Sequence, residues 1–248
     1  MPEKPVAIVT AAGRGIGRAC AEELNERGYA LALMSPSENS VKLAAELDCI
    51  GMSGSVTSQD DVQTLVDKTV AAYGRIDAVL NNTGFEEWSV ESPTYAFDPD
   101  LDGHLLDIPD EDWHAALDLF FLNAVHVARA VTEIMQRQGG GAIVNISASC
   151  ALEPFSAYPM SSSVRTALSA FTKLYSDRYA RDNIRMNTLL PGYVDNLEWL
   201  PTIPRSIPMG RVGTAREIAK AAAMLLSDDA SYISGENIFV DGGLRRGL

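Results

Sequence analysis

The chain has 248 residues, 46% of them hydrophobic and 21% charged, with a net charge of −13 at pH 7. That size and composition suit a single globular α/β domain over residues 1–248. The acidic balance argues against nucleic acid or an anionic membrane as partner, because both need a basic face. Cys20, Cys49 and Cys150 show no CxxC spacing, and His104, His114 and His126 no ligand spacing. Neither disulfides nor a metal site is therefore expected. The opening MPEKPVAIVT lacks the features of a signal peptide, and no apolar run in the sequence suggests a bilayer span, so the expectation is a cytoplasmic protein.

Residues 6–10 are the first continuous apolar run, read as a strand buried on both faces. It leads into VTAAGRGIG. There Gly13, Gly15 and Gly17 permit a tight turn, close approach of a pyrophosphate, and close packing of a helix at 17–26 on the strand. A second strand at 30–34 runs into Ser35, Pro36 and Ser37. A helix is expected at 58–73 and a strand at 78–80. Residues 85–109 then break the rhythm: they are rich in acids, prolines and aromatics, among them Trp88, Tyr95, Phe97, Asp98, Asp100, Asp102 and Asp107. A helix at 111–136 and a strand at 142–146 follow. In the helix at 159–179, Pro159 is tolerated only in the first turn, which places Tyr158 at the helix mouth. After a strand at 186–190, residues 195–209 form a second irregular segment carrying Pro201, Pro204 and Pro208. Thr214 and Glu217 make a capping box opening a helix at 215–227. This alternation implies a doubly wound parallel sheet flanked by helices. Both irregular segments would overhang the carboxyl edge of that sheet, where ligands bind.

The ordered motifs resemble those of the short-chain dehydrogenase/reductase family over essentially the whole length, which implies a Rossmann-type three-layer sandwich. The glycine turn resembles TGxxxGxG, with Ala11 replacing the first glycine. NNTG at 81–84 resembles NNAG, and Asn123 in FLNAVH resembles the helix asparagine of the catalytic tetrad. GGAIVNISAS at 140–149 resembles the strand that delivers the catalytic serine. LLPGYV at 189–194 and SGENIFVDGG at 234–243 resemble the nicotinamide-side loop and the last strand. The resemblance implies a nicotinamide cofactor. Gly13, Arg14, Gly15, Ile16 and Gly17 would face its phosphates, and Ser35 and Ser37 its adenosine ribose. Ser55 and Val56 would lie near the adenine, with Ser55 replacing the aspartate the family often has. Asn82 and Gly84 would flank the cofactor, and Pro191, Gly192 and Val194, with Tyr158 and Ser162, would meet its nicotinamide half. An NAD site wants an acid after the second strand. Serines there, with Arg14 nearby, favour NADP(H) over NAD(H).

In the family a tyrosine protonates the substrate oxygen, and a lysine four residues later binds the ribose and lowers the tyrosine pKa. Tyr158 fits the first role; Ser162 stands in the lysine's place. A cation about 4 Å away at an effective dielectric of about 20 would contribute roughly 4 kcal/mol. Lys173 lies more than about 20 Å up the helix, and Arg165 about 10 Å along it, a poor reach for either. The family's serine would fall at Ala148, leaving Ser147 or Ser149. Alternation on a strand prevents all three from facing the site, and the segment up to Tyr158 is a few residues short. Ser149, just past the strand, is the slightly preferred candidate.

Three readings follow. The first is an NADP(H)-dependent oxidoreductase interconverting a carbonyl and an alcohol on a small molecule, with a mechanism weakened or altered by loss of the lysine. The second is a nucleotide-binding protein of the same fold without turnover, in a regulatory or assembly role. The third is non-redox chemistry on the same fold, for which no residue speaks. The acidic entrance suggests an uncharged or cationic, partly apolar substrate. The long helices suggest a homo-oligomer, a dimer or tetramer.

Overall fold

Seven strands pair in parallel in the order β3-β2-β1-β4-β5-β6-β7. The structure is a computed structural model that describes residues 4–83, 105–156, 158–199 and 201–246. The strands are β1 (Val6–Thr10), β2 (Ala30–Ser35), β3 (Ile50–Ser53), β4 (Ala78–Asn81), β5 (Gly141–Ile146), β6 (Ile184–Pro191) and β7 (Asn237–Val240). The expected strands all form. Their alternation sorts side chains into two cores, one on each face of the sheet. Ala7 and Val9 of β1, with Ala78 and Leu80 of β4, join a cluster beneath helices α1 (Gly15–Glu26) and α8 (Ala215–Leu226). Ile8 and Val79, between them, point to the opposite cluster, which α3 (Gln59–Tyr73), α5 (Asn123–Gln138) and α6 (Pro159–Tyr179) cover. The doubly wound sandwich is thus the observed architecture.

Among the elements that escaped the sequence reading are β3 and helix α2 (Asn39–Glu46). Both are short, and α2 has no side-chain cap to announce it. The helix expected at 111–136 is three pieces. Helix α4 (Asp110–Leu117) passes through a π-helical turn, Asp118–Leu122, into α5. The extra residue in such a turn rotates the face that follows. Phe120 of the π turn packs toward α6 with Met160 and Val164, whereas Asn123 meets the end of the sheet. By length and composition the joined stretch Asp110–Gln138 could cross a membrane, a correction to the sequence reading. Its apolar face is already occupied: Val127, Val131 and Met135 are buried against the sheet.

Buried polar groups knit the carboxyl ends of the central strands. Asn81 Nδ2 donates to Asn123 Oδ1 and Asn145 Oδ1, both at 3.0 Å. Asn145 Nδ2 reaches Thr172 Oγ1 on α6 at 3.4 Å, and Thr172 and Thr188 share a 2.8 Å hydroxyl contact. Paired this way, the groups avoid the cost of unsatisfied burial and fix the relative heights of β4, β5, β6 and α6. The segment after β6 returns through the short helix α7 (Ile203–Ser206) to α8, whose Thr214–Glu217 capping box is formed as expected.

Candidate active site

The phosphate end is built by the turn from β1 into α1. Ala11 (φ 47°) and Gly15 (φ 54°) take left-handed conformations there. A Cβ on Gly17 would lie 2.1 Å from the Ala11 carbonyl oxygen, and one on Gly13 2.9 Å from Ser35 Oγ and Asn39 Cβ. Only glycine permits this packing. Arg14, the residue before α1, gives the helix no side-chain cap, which leaves its first amides for a ligand. Asn82 steadies the turn: its amide donates to Thr10 Oγ1 at 2.9 Å, and its carbonyl accepts from the same hydroxyl at 2.7 Å. The close-packed glycines and the uncapped helix start fit the pyrophosphate of a dinucleotide.

At the ribose end the expectations are only partly met. Ser37 is exposed. Ser35 is buried, and its hydroxyl donates to the Ser37 carbonyl at 2.9 Å and accepts from the Ser40 amide at 3.3 Å. Its hydroxyl holds the turn instead of facing outward. Glu38, overlooked in the sequence, is a carboxylate just past β2, and Ser53 Oγ donates to it at 2.7 Å. Ser55 binds Thr57 Oγ1 at 2.8 Å and its amide donates to Asp61 at 2.9 Å, while Val56 is buried beside them. Gly84 lies outside the described residues, as do Trp88, Tyr95, Phe97, Asp98, Asp100, Asp102 and His104.

A cleft of about 360 Å³ opens at the carboxyl ends of β5 and β6. Ser147, Ala148, Ser149 and Cys150 form one wall; Tyr158, Ser161 and Arg165 of the α6 entrance form the second. Pro191, Gly192 and Val194 form the third, and Ile16 joins the cleft to the glycine turn. Leu197 and Trp199 cover it. Trp199 Nε1 donates to the Val194 carbonyl at 2.7 Å and the indole meets Tyr193 edge-on at 4.7 Å. The cover also reaches the glycine turn, where a Cβ on Gly15 would come within 3.2 Å of Asn196. A larger hollow of 440 Å³, between Lys4, Tyr29, Asp48 and Tyr73, lies at the other end of the sheet, away from these groups.

Ser147, Ser149 and Tyr158, taken from the sequence, do line the cleft. Both serines and Ala148 do so together because β5 ends at Ile146 and the chain then turns into a 3₁₀ turn at Ser149–Ala151, so strand alternation no longer applies. Among the described residues Ser147 Oγ is buried without a hydrogen-bond partner. Ser162 is a correction. It is 3% exposed, its hydroxyl accepts from the Phe155 amide at 3.3 Å, and it is not among the described residues that line the cleft. Asn123 is likewise absent from the cleft wall; its side chain is spent on Asn81 and the Leu119 carbonyl.

Two further groups on α6 line the cleft: Ser161, which the sequence reading passed over, and Arg165, which it set aside for poor reach. Ser161 and Arg165 repeat the four-residue spacing of the Tyr158 and Ser162 pair, one turn later. Tyr158, Ser161 and Arg165 form a helical stripe of three- and four-residue steps, a signal visible in the sequence. Arg165 Nε donates to Ser161 Oγ at 3.1 Å, and its guanidinium covers the Phe120 ring at 4.1 Å. Ser161 also meets Cys150 Sγ at 3.6 Å. Arg165 is only 4% exposed, and burial pulls its pKa down to about 10, which leaves it charged at neutral pH. Poor reach along the helix axis is not a barrier, because the cleft wall runs along α6.

Comparison with known proteins agrees with this fold. The family model described as Enoyl-(Acyl carrier protein) reductase matches residues 10–245. The chain is 33% identical over 257 residues to the 3-oxoacyl-[acyl-carrier-protein] reductase FabG of Chlamydia muridarum, covering 96% of each. It is 31% identical over 268 residues to dehydrogenase/reductase SDR family member 4 of Caenorhabditis elegans, covering 99% of this chain and 97% of that protein. The crystal structure of YwfH, an NADPH-dependent reductase involved in bacilysin biosynthesis, superposes with a TM-score of 0.87 at 26% identity. That match covers 99% of this chain and all of the other.

Proposed function

The chain belongs to the short-chain dehydrogenase/reductase family of oxidoreductases, and from that premise we propose that it is an NADPH-dependent reductase of a carbonyl group on a small molecule. The observation that carries the proposal is the single cleft in which Ile16 of the glycine turn meets the hydroxyls of Ser147, Ser149 and Tyr158. The glycine turn and the start of α1 would hold the pyrophosphate, and Ser37 and Arg14 would meet the 2′-phosphate. Ser35, whose hydroxyl is held by the turn, has no part in this. NADPH, when bound, supplies the hydride. Ser147, with no other partner among the described residues, donates a hydrogen bond to the substrate oxygen as negative charge grows on it. Tyr158 gives its phenolic proton to that oxygen. Trp199 and Leu197, on the cleft wall, would limit the access of water once cofactor and substrate are bound. The proposal includes assembly as a homo-oligomer, which light scattering at micromolar concentration tests.

The nucleotide-binding reading without turnover draws on Ala148, which puts a methyl where the family has its hydroxyl, and on a cleft wall that carries no lysine among the described residues. NADPH oxidation measured over a panel of aldehydes and ketones, alongside calorimetric titration of the cofactor, separates the two. Turnover of any carbonyl supports the reductase; NADPH binding with no turnover across the panel overturns it.

A further inference from the structure

Arg165 is a charged group of the cleft wall that carbonyl reduction as described leaves unused. Its guanidinium is almost wholly buried, its Nε is held by a neutral serine hydroxyl, and its face rests on the Phe120 ring. Among the described residues no carboxylate lies within ion-pair distance of it. No hydrogen bond is formed by its Nη1 or Nη2 within the same set. A buried charge without a counter-ion carries a penalty of several kcal/mol. An anion entering the cleft would supply the partner it lacks. Ser161 and Phe120 hold the side chain in place, and a guanidinium so fixed offers its two terminal nitrogens as a fork matched to a carboxylate.

Resting on the reductase reading, we propose that Arg165 is the anchor for a carboxylate on the substrate, so that the cleft takes a small carbonyl compound bearing a carboxylate on an apolar, aromatic-sized body. The other wall residues fit that body: Phe155, Tyr158, Leu197 and Trp199 supply apolar and aromatic surface. The acidic composition of the chain suggested an uncharged or cationic substrate; the inner wall reverses that sign. Glu198 at the rim of the cleft is exposed, where water screens it, whereas Arg165 acts in the dry interior. The cofactor's own phosphates are provided for separately, by the glycine turn and the uncapped start of α1.

The test uses the full chain loaded with NADPH and two matched probes, phenylacetate and phenylacetamide, titrated calorimetrically. The anion is expected to bind at least about tenfold more tightly than the amide. Arg165→Met should erase that preference and Arg165→Lys restore part of it. In the unliganded protein Arg165→Met should melt no lower than wild type, because it removes an unpaired buried charge. Equal affinity for the two probes, or no binding of phenylacetate, overturns the proposal. So does an Arg165→Met protein that melts lower or loses NADPH affinity, which would make Arg165 a structural or cofactor-holding group. Turnover is read separately with phenylglyoxylate and its methyl ester. If neither is reduced while the anion preference stands, the reductase reading fails and the anchor remains. If the ester is reduced as well as the acid and the preference is absent, the anchor fails and the reductase remains.

Discussion

Arg165 Nε lies 3.1 Å from Ser161 Oγ, and the two residues stand four apart on the cleft face of α6. This pair has the spacing of the family's tyrosine and lysine, and it lies on the cleft wall. Ser162, the residue four after Tyr158, turns instead to the Phe155 backbone. The distinction changes what a repair of the site should do. A lysine at position 162 would bury an ammonium with no counter-ion. Ser162→Lys is therefore expected to destabilise the fold by several kcal/mol and to give no gain in carbonyl reduction. The combination Ala148→Ser, Ser161→Tyr and Arg165→Lys should instead raise reduction of an uncharged ketone, by about 10²-fold or more. Thermal melts and NADPH oxidation check both. A stable, more active Ser162→Lys protein would show that position 162 does reach the substrate.

Tyr158 remains the proton donor in the proposed chemistry. Tyr158→Phe keeps the ring on the cleft wall and removes the proton. The expected loss in kcat is on the order of 10²–10⁴ for any carbonyl that the wild type reduces. Single-turnover measurements with NADPH already bound isolate this step. An undiminished rate would move the proton source to Ser149 or Ser161, which line the same cleft.

Much of this was legible in the sequence for reasons that can be named. Strands such as β1 and β6 are buried on both faces and so are written as continuous apolar runs; β3 and β7 are short and only partly buried, and periodicity has little to act on. The glycine turn was legible because a Cβ at Gly13 or Gly17 would meet neighbouring atoms within 3 Å, which restricts the residue type. The α6 register was not. Tyr158 and Ser161 lie three residues apart on one stripe, and a motif that begins with tyrosine fixes attention on the first of them. What decided the face was Phe155, whose backbone captures the Ser162 hydroxyl, a contact seven residues away that no local pattern encodes. Asn123 was found by its motif, but its direction depends on the π turn before it.

The cofactor preference has a direct test. Ser37 is exposed at the end of β2, Arg14 is exposed at the start of α1, and the nearby carboxylate of Glu38 is held by Ser53. NADPH is expected to bind at least about tenfold more tightly than NADH, a difference that Arg14→Gln should narrow. Ser53→Ala should also narrow it, by releasing Glu38 toward the site of the 2′-phosphate. Calorimetric titration of each protein with both cofactors reads these differences. Equal affinity in the wild type would reject the 2′-phosphate assignment.

The cover of the cleft is anchored at the start of α8, and that anchor is sensitive to acid. Asp195 Oδ1 accepts from the Ala215 amide at 2.8 Å, and Val194 bridges Gly213, so the segment carrying Leu197 and Trp199 hangs from the capping box. Within that box Arg211 donates to both oxygens of Glu217, at 2.9 and 2.7 Å, and the Thr214 amide adds a third bond at 2.8 Å. The Arg211 hydrogen bonds, followed by that of Thr214, hold the Glu217 pKa down at about 2, below its ordinary 4.5. A carboxylate with a lowered folded pKa stabilises the protein fully above its unfolded value. That stabilisation is lost as pH falls from about 4.5 through about 2. The pair is exposed and screened, so the effect is modest, roughly 1–3 °C in melting temperature. Glu217→Gln should lower the melting temperature by that amount at pH 7 and flatten its decline in the acid range. Melts at low ionic strength between pH 7 and pH 2 check this; parallel curves for the two proteins would mean that Glu217 does not contribute through its charge.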